Sequence, residues 1–191
     1  MSTTQPIRDK IQVRQLAAYY LDRGDLRNHL LIVLGVNTAL RISDILRLTW
    51  DDVYDFKNER VRGSIELIEK KTGKSKIIAI NHSVSNALLL YAPVAAGSGR
   101  FLIENSRTGK AISRVQAYRI TRKAAEALGF QERVSCHSLR KTLGYHAWKN
   151  GVSLAVIMEI YNHSSLAVTR RYLGVTQDDK DAVYLTLDLT S

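Results

Sequence analysis

The sequence contains a single cysteine, and this scarcity removes two kinds of structure. Cys136 has no second cysteine with which to form an internal disulfide. One thiol is also too few for a cysteine-based zinc site. A lone cysteine fits a reducing compartment, so we expect a cytoplasmic protein.

Long apolar runs are also missing. The longest, Leu30 to Val36, is too short to cross a bilayer. The first residues, Met-Ser-Thr-Thr-Gln-Pro, lack the apolar centre of a signal peptide. No internal repeat or low-complexity tract is visible either. We therefore expect no membrane partner.

Several motifs of metal and nucleotide chemistry are absent. The chain has no Asp/Glu cluster at magnesium spacing, no His-Glu-x-x-His and no glycine-rich phosphate loop. The sequence therefore predicts neither a metal nor another cofactor, and no small-molecule substrate.

Positive charge is abundant. Lys and Arg number 28 against 18 Asp and Glu, which gives a net charge of +10 and an isoelectric point near 9.8. This balance favours a polyanionic partner, although a generic basic protein remains an alternative. The basic residues are spread along the chain rather than gathered beside an apolar span, which disfavours an anionic membrane.

The hydrophobic pattern predicts an α+β fold that is mostly helical, with one small antiparallel β-sheet. The 191 residues suit one domain, or one domain with a short arm. Strands are expected at 60–69 and 76–80, joined by a hairpin tip that contains Gly73. Helices are expected at 9–22, 26–38, from Ile42, at 83–91, 113–128, 137–149, 153–160, 165–173 and 178–184.

Five residues form a candidate site for phosphate chemistry. They occur in the order Arg41, His137, Arg140, His163 and Tyr172. The arginines carry permanent, forked positive charges that fit phosphate oxygens. The tyrosine can attack phosphorus and form a covalent ester, and the histidines can move protons near neutral pH.

Each of these residues also has a plainer interpretation. His137 and Arg140 share a helix face, but they could be a first-turn histidine and a solvated arginine. Arg41 lies between two apolar helical segments and could form a structural salt bridge with Asp44. Tyr172 could be core packing, and only its place after a histidine in a basic setting singles it out.

Two further side chains are candidates for a chemical role. Lys71, at the hairpin tip, could reach a bound backbone and serve as a general acid, with Lys70 and Lys74 as competitors. Cys136 could be a thiol nucleophile beside His137. Neighbours on a helix face different directions, so a small buried residue is the better interpretation.

The motifs resemble those of the tyrosine recombinases, the phage integrase family. The resemblance runs from about Pro6 to Tyr172 and beyond. It is carried by Gly35-x-x-Thr38-Ala39-Leu40-Arg41-Ile42-Ser43-Asp44-Ile45-Leu46-x-Leu48-x-Trp50-x-Asp52-Val53, Lys71-Thr72-Gly73-Lys74, His137-Ser138-Leu139-Arg140, and His163-Ser164-Ser165 followed by Tyr172. It implies an integrase-like catalytic domain and site-specific DNA recombination, in bacteria, phage or a mobile element.

By this resemblance, the two arginines clamp the scissile phosphate and Lys71 protonates the leaving 5′ oxygen. His137 helps to take the tyrosine proton, and His163 donates to a phosphate oxygen. Tyr172 forms a 3′-phosphotyrosyl bond, which a second 5′ hydroxyl then attacks, so no energy cofactor is needed. Double-stranded DNA is the expected partner. Its backbone is expected to contact Lys70, Lys74, Lys141, Arg170 and Arg171.

The chain departs from the family in two short motifs and in length. Tyr161-Asn162-His163 stands where the family often has Leu-Gly-His, and Arg140-Lys141 where it often has Arg-His. We expect residues 1–25 to be an arm and first helix, which is too short for a separate DNA-clamping domain. Residues 26–177 are expected to be the catalytic domain. The tail 178–191 is expected to contact a neighbouring protomer and so to support self-assembly on paired DNA sites.

Two other functions remain open. A type IB topoisomerase-like enzyme shares the tyrosine chemistry but usually has further clamp domains. A non-catalytic DNA-binding regulator could use the same scaffold without the reaction. Short members, such as the fimbrial-switch invertases, or a fragment of a longer protein, would explain the length.

Overall fold

The structure, a computed structural model, describes residues 4–95 and 100–187. The loop that the sequence predicts at Gly97-Ser98-Gly99 lies outside these ranges, as do the last four residues of the predicted tail.

The architecture is mostly helical, as predicted, with small antiparallel sheets. The helices are α1 Lys10–Leu21, α2 Leu26–Asn37, α3 Ile42–Ile45, α4 His82–Ala95, α5 Arg114–Ala127, α6 Cys136–Lys149, α7 Leu154–Tyr161, α8 Leu166–Leu173 and α9 Gln177–Thr186. The strands are β1 Tyr54–Asp55, β2 Arg60–Val61, β3 Ser64–Ile68, β4 Ser75–Ala79, β5 Glu104–Asn105 and β6 Lys110–Ala111. One sheet was predicted, whereas the described part of the chain forms three two-stranded sheets.

Local sequence explains where the main helices begin. Ser113 and Gln116 form a capping box, in which the Ser113 hydroxyl accepts from the Gln116 amide and the Gln116 side chain accepts from the Ser113 amide. Ser135 caps α6 by accepting from the backbone N–H of His137 at 3.2 Å. The cap fixes the start of α6, the helix that carries two candidate site residues.

Helix α4 is longer than predicted. The sequence prediction ended it at residue 91 because Pro93 follows, yet the helix continues to Ala95. Proline sacrifices one backbone hydrogen bond, and here the loss falls in the last turn. Ala92 and Ala95 are buried in the core at 3% and 2% exposure, which favours continuing the helix over that turn.

The core is organised around α2, which packs against α1, α4 and α6. The helix is buried from Asn28 to Val36, so it is apolar nearly all round, as its sequence predicted. Its carboxyl end leads into the turn that carries Arg41. The central helix therefore sets the position of one candidate site residue directly.

The hairpin formed by β3 and β4 is the predicted sheet, although the predicted strand 60–69 is divided at residues 62–63 into β2 and β3. Ser64 pairs with Ala79, and the register continues to Ile68 opposite Ser75. Gly73 has φ +66°, a conformation that glycine adopts without strain and that the tight tip requires. The tip presents the lysines at 70, 71 and 74 to solvent.

The amino-terminal arm packs along α6. The amide of Ile7 donates to Thr142 Oγ1 at 3.0 Å, and His146 Nε2 lies 3.0 Å from the Ile7 carbonyl oxygen. Lys141 Nζ donates to the Thr4 carbonyl at 2.7 Å. The arm is therefore tied to the helix that carries His137 and Arg140. Across residues 4–95 and 100–187, no helix has the length and apolarity needed to span a bilayer.

Candidate active site

The fold brings the five candidate residues into one region, although they are far apart in sequence. Arg41 precedes α3, and His137 and Arg140 lie in the first two turns of α6. His163 follows the end of α7, and Tyr172 lies in the last turn of α8. An open cleft of roughly 910 Å³ is lined by Arg41, Lys70, Lys71, His137 and Arg140, among others.

Tyr172 is surrounded by rings and cations. Its ring packs at a steep angle to the rings of His137 and His163, with centroid distances of 5.2 Å and 4.9 Å. The ring of Tyr161 lies 5.1 Å away, and Lys141 Nζ lies 5.1 Å from the Tyr172 centroid. The phenol is thus held in one orientation beside two groups that can exchange protons.

Burial dominates the acidity of the Tyr172 hydroxyl. It raises the pKa to about 12, although the positive charges of Arg140 and Arg41 act to lower it. In the DNA-free protein the side chain is therefore a neutral phenol at pH 7. Nucleophilic attack requires that its proton be taken by a base.

Arg140 is almost fully buried, with 2% exposure. Its Nη2 donates to the Tyr161 carbonyl at 3.3 Å, and the guanidinium lies 5.1 Å from the centre of the Tyr161 ring. Within the described residues, Arg140 Nη1 and the Tyr172 hydroxyl are buried without a well-aligned hydrogen-bond partner. A buried cation with unused donors is suited to receive an anion.

His163 is kept neutral by its surroundings. Burial, followed by the charges of Arg140 and Arg41, lowers its pKa to about 4. Its Nδ1 lies 3.1 Å from Thr169 Oγ1, and that hydroxyl donates to the Ser165 carbonyl at 3.2 Å. The Thr169 oxygen is thus the acceptor, which places the imidazole proton on Nδ1 and leaves Nε2 with a lone pair.

His137 is the more open of the two histidines. It remains exposed on the cleft side. Desolvation by the protein behind it lowers its pKa, and the charges of Lys141 and Arg140 add to that effect. A neutral imidazole beside the Tyr172 ring can accept a proton.

Arg41 is paired, but not with the residue that the sequence suggested. Its Nη1 lies 2.9 Å from Glu69 Oε2, and Glu69 has no exposed side-chain surface. Asp44, the partner considered from sequence, instead accepts from the Lys70 amide at 2.9 Å. Glu69 therefore ties the turn before α3 to the hairpin, and Asp44 ties α3 itself to it.

The hairpin lysines differ in their positions. Lys70 and Lys71 line the cleft, whereas Lys74 is exposed but does not line it. Lys76, which sequence reasoning missed, points inward from β4. Its Nζ donates to the Ile160 carbonyl at 2.6 Å and lies 3.9 Å from Glu69 Oε1. Burial lowers its pKa to about 8.

The residues expected to contact a DNA backbone are not all on the surface. Arg170 and Arg171 are exposed on α8. Lys141 has only 6% exposure, and its ammonium donates to the Thr4 carbonyl. The resemblance predicted Lys141 as a contact to the DNA backbone, whereas α6 turns its side chain inward between the arm and Tyr172.

Sequence reasoning missed several supporting residues, and one of them had a readable signal. Asn162 has φ +54° at the end of α7. Glycine and asparagine both tolerate this left-handed conformation, so an asparagine can stand where the family often has glycine. Glu69 and Lys76 gave no such signal, because their partners lie far away in sequence. Among the described residues, no cluster of three His, Cys, Asp or Glu side chains could hold a metal ion.

Comparison with known proteins identifies the family. The model of the phage integrase family matches residues 8–178. The chain is 38% identical to the probable integrase/recombinase YoeC of Bacillus subtilis, over 96% of this chain and 97% of that protein. It is 31% identical to the tyrosine recombinase XerD of Mycobacterium tuberculosis, over 79% of this chain but only 49% of that protein. The chain thus spans nearly all of YoeC and about half of XerD.

Solved structures agree on the fold. A XerA recombinase superposes with a TM-score of 0.77 at 20% identity, over 96% of this chain and 65% of that one. A XerH site-specific recombinase bound to a palindromic difH substrate gives 0.78 at 17% identity, over 97% and 54%. With the family model covering most of its length, the chain belongs to the phage integrase family of tyrosine recombinases.

Proposed function

We propose that this chain cleaves and rejoins DNA strands through a covalent bond between Tyr172 and a 3′ phosphate, as a site-specific recombinase. The observation that carries the proposal is the position of the Tyr172 ring, between His137, His163 and the buried guanidinium of Arg140. A nucleophile, proton acceptors and a phosphate-binding cation lie together.

The cleavage step exchanges one ester for another. The Tyr172 oxygen bonds to phosphorus, and the bond between phosphorus and the 5′ oxygen breaks. The phenolic proton passes to a neutral imidazole, for which His137 is the candidate on the open side of the cleft. Lys71, on the cleft wall, donates a proton to the leaving 5′ oxygen. Attack by another 5′ hydroxyl reverses the step, so the phosphate bond energy is conserved.

Arg41 and Arg140 stabilise the charge that builds on the phosphate oxygens during transfer. Fixed cations act most strongly in a site that excludes water, and Arg140 is buried. His163 contributes after phosphate binds. An anion beside Nε2 raises the pKa of the imidazole, so the ring gains the proton that it needs to donate to a phosphate oxygen.

Double-stranded DNA is the proposed substrate, and the bacterial cytoplasm the proposed location. The net charge of +10 and the basic cleft support a DNA partner. The XerH structure in a post-cleavage complex and a lambda integrase dimer on a core site are similar folds bound to DNA. They support, by analogy of fold, assembly of this chain on paired sites.

The reaction is proposed to need no metal ion, because arginines occupy the place around the phosphate that metals fill in metal-dependent nucleases. Strand cleavage in excess EDTA should equal cleavage with magnesium present. A large loss in EDTA that magnesium restores would contradict this part of the mechanism.

The direct test is a covalent capture experiment. The protein is incubated with a library of nicked duplexes whose arms are randomised, and adducts that survive denaturation are isolated and sequenced. The wild-type chain should yield an adduct at a preferred sequence. Tyr172→Phe should bind the same DNA and yield none, while Tyr184→Phe, which alters an exposed tyrosine (82%), should react normally.

Three outcomes separate the possible functions. An adduct formed by Tyr172→Phe would show that another residue is the nucleophile. DNA binding with no adduct in the wild-type chain would favour a non-catalytic regulator. Nicking and resealing at sites with no strand exchange would favour the topoisomerase-like activity.

A further inference from the structure

Glu69 is a buried carboxylate that contacts three separate segments of the site. Its Oε2 lies 2.9 Å from Arg41 Nη1. The same oxygen accepts from Thr72 Oγ1 at 2.8 Å and from Asn162 Nδ2 at 3.0 Å. Its Oε1 lies 3.9 Å from Lys76 Nζ. Glu69 therefore joins the turn before α3, the hairpin tip and the turn after α7.

Each of these segments carries a group that the proposed reaction uses. Arg41 itself belongs to the first segment. Thr72 is adjacent to Lys71 in the hairpin tip, and Asn162 is adjacent to His163. A shift of the Glu69 carboxylate would consequently displace three groups at once. They are the proposed phosphate clamp Arg41, the proton donor Lys71 and the hydrogen-bond donor His163.

The carboxylate is charged despite its burial. Burial acts to raise the pKa of Glu69, but hydrogen bonds from Asn162, Thr72 and Arg41 outweigh it and lower the pKa overall. A buried anion is retained at a cost unless several partners compensate it. Those partners gather on Oε2, whereas Oε1 is buried with only the ammonium of Lys76 nearby, at 3.9 Å. Each partner is part of a site segment rather than of the hydrophobic core.

We propose that Glu69 is a positioning residue, which holds Arg41 and the Lys71 hairpin in register for phosphate transfer without touching the DNA. The inference rests on the proposed function of the site. It assigns to Glu69 a role in the rate of strand cleavage and none in DNA affinity, because its carboxylate is fully enclosed.

The first experiment measures single-turnover adduct formation by Glu69→Gln, on a DNA sequence identified by the covalent capture experiment. Glutamine keeps the shape but removes the charge that orients Arg41. Adduct formation should slow roughly 10- to 100-fold, the scale of a small misplacement of catalytic groups. The DNA dissociation constant should stay within about two-fold, since many other Lys and Arg residues contact the backbone.

A double-mutant cycle tests whether Glu69 acts through Arg41. In an Arg41→Ala background, Glu69→Gln should cost much less than it does in the wild type, because the group being positioned is gone. Equal fold losses in both backgrounds would overturn the link to Arg41.

A separate variant tests the contact between Glu69 and the hairpin tip. It also tests the proposed role of Glu69 if Glu69→Gln fails to fold. Thr72→Val removes only the hydroxyl that ties the tip to Glu69. It should slow cleavage of the normal substrate but not of a substrate with a 5′-bridging sulfur, whose leaving group needs no proton from Lys71. Equal slowing on both substrates would overturn the proposed link to the hairpin.

Asn162→Gly provides the matched control for the third contact. Glycine keeps the left-handed turn at φ +54° and removes only the amide that donates to Glu69. It should fold normally and slow cleavage less than Glu69→Gln does. A wild-type chain that forms no adduct at all would overturn the proposed function. An active wild type with an unimpaired Glu69→Gln would overturn this inference alone.

Discussion

Arg140 and Tyr161 are joined by reciprocal hydrogen bonds. The Tyr161 hydroxyl donates to the Arg140 carbonyl at 2.6 Å, and Arg140 Nη2 donates to the Tyr161 carbonyl at 3.3 Å. The same hydroxyl accepts from the Gly144 amide at 2.9 Å. The Tyr161 hydroxyl therefore lies between the Arg140 carbonyl and the Gly144 amide. In a regular helix these two backbone groups would hydrogen-bond directly to each other. The Arg140–Tyr161 pair locks the amino-terminal half of α6 to the end of α7.

We expect Gly144→Ala to destabilise the fold. A Cβ at this position would lie 2.5 Å from Tyr161 Cε2 and 2.7 Å from both the Tyr161 hydroxyl and Leu173 Cδ2. Relieving this overlap should cost about 1–3 kcal/mol, measured by urea unfolding. Gly63→Ala is the matched control, because its Cβ would meet nothing within 4 Å. Equal stability of the two variants would show that the Tyr161 contact is easily displaced.

Arg140→Ala should abolish most strand cleavage while leaving DNA binding largely intact. Loss of a preorganised charge donor should reduce the cleavage rate about 10²–10³-fold or more. Arg171→Ala, at an exposed position on α8, serves as the control and should change affinity more than rate. Single-turnover cleavage and a binding titration give the two quantities. Near-normal cleavage by Arg140→Ala would refute the phosphate-clamp role.

The pKa of His163 makes stability depend on pH. Its pKa of about 4 lies below the usual histidine pKa of 6.5, so between these pH values the unfolded chain binds more protons. Stability therefore rises with pH in this window and falls on acidification. From pH 7 to pH 5 the histidine should account for a loss on the order of 1 kcal/mol, once solvent screening of this half-buried ring is allowed for.

Urea unfolding of the wild type and of His163→Gln at both pH values isolates this contribution. Glutamine cannot gain a proton in this range, so the variant should lose less stability than the wild type. Parallel losses would mean that His163 keeps a near-normal pKa in the fold.

Removal of residues 178–191 should weaken assembly but not chemistry. Val183, Tyr184, Leu185 and Leu187 are between 57% and 84% exposed, although three of them are large apolar side chains. Such a surface is suited to pack on a neighbouring protomer. The truncated chain should form adducts on nicked half-sites and fail to join full sites. Full recombination by the truncated chain would show that the tail has no assembly role.

Much of the helical framework could be predicted from sequence because its signals are local. The α5 capping box and the apolar circumference of α2 both lie within single segments. Candidate residues such as Arg41 and Tyr172 could also be named, since short motifs carried them. The structure places them together, while their roles stay predictions.

The supporting contacts were beyond the reach of the sequence because they join distant segments. Glu69 meets Asn162 across 93 positions, and Lys76 meets the Ile160 carbonyl across 84. The inward turn of Lys141 depends on the amino-terminal arm, 137 positions away. The β1–β2 and β5–β6 pairings were not predicted, although β2 lies within the predicted strand 60–69, because segments that short carry no period.

The cations around Glu69 also affect the stability of the DNA-free protein. Arg41, Lys76 and Arg140 act on one another as like charges, and burial with mutual repulsion depresses the pKa of Lys76 to about 8. Repulsion among these cations thus destabilises the folded state as long as no anion is bound in the cleft. A bound phosphate compensates that repulsion, so DNA binding should raise the melting temperature of the protein. The same charges that prepare the site for a strand of DNA leave the empty protein easier to melt.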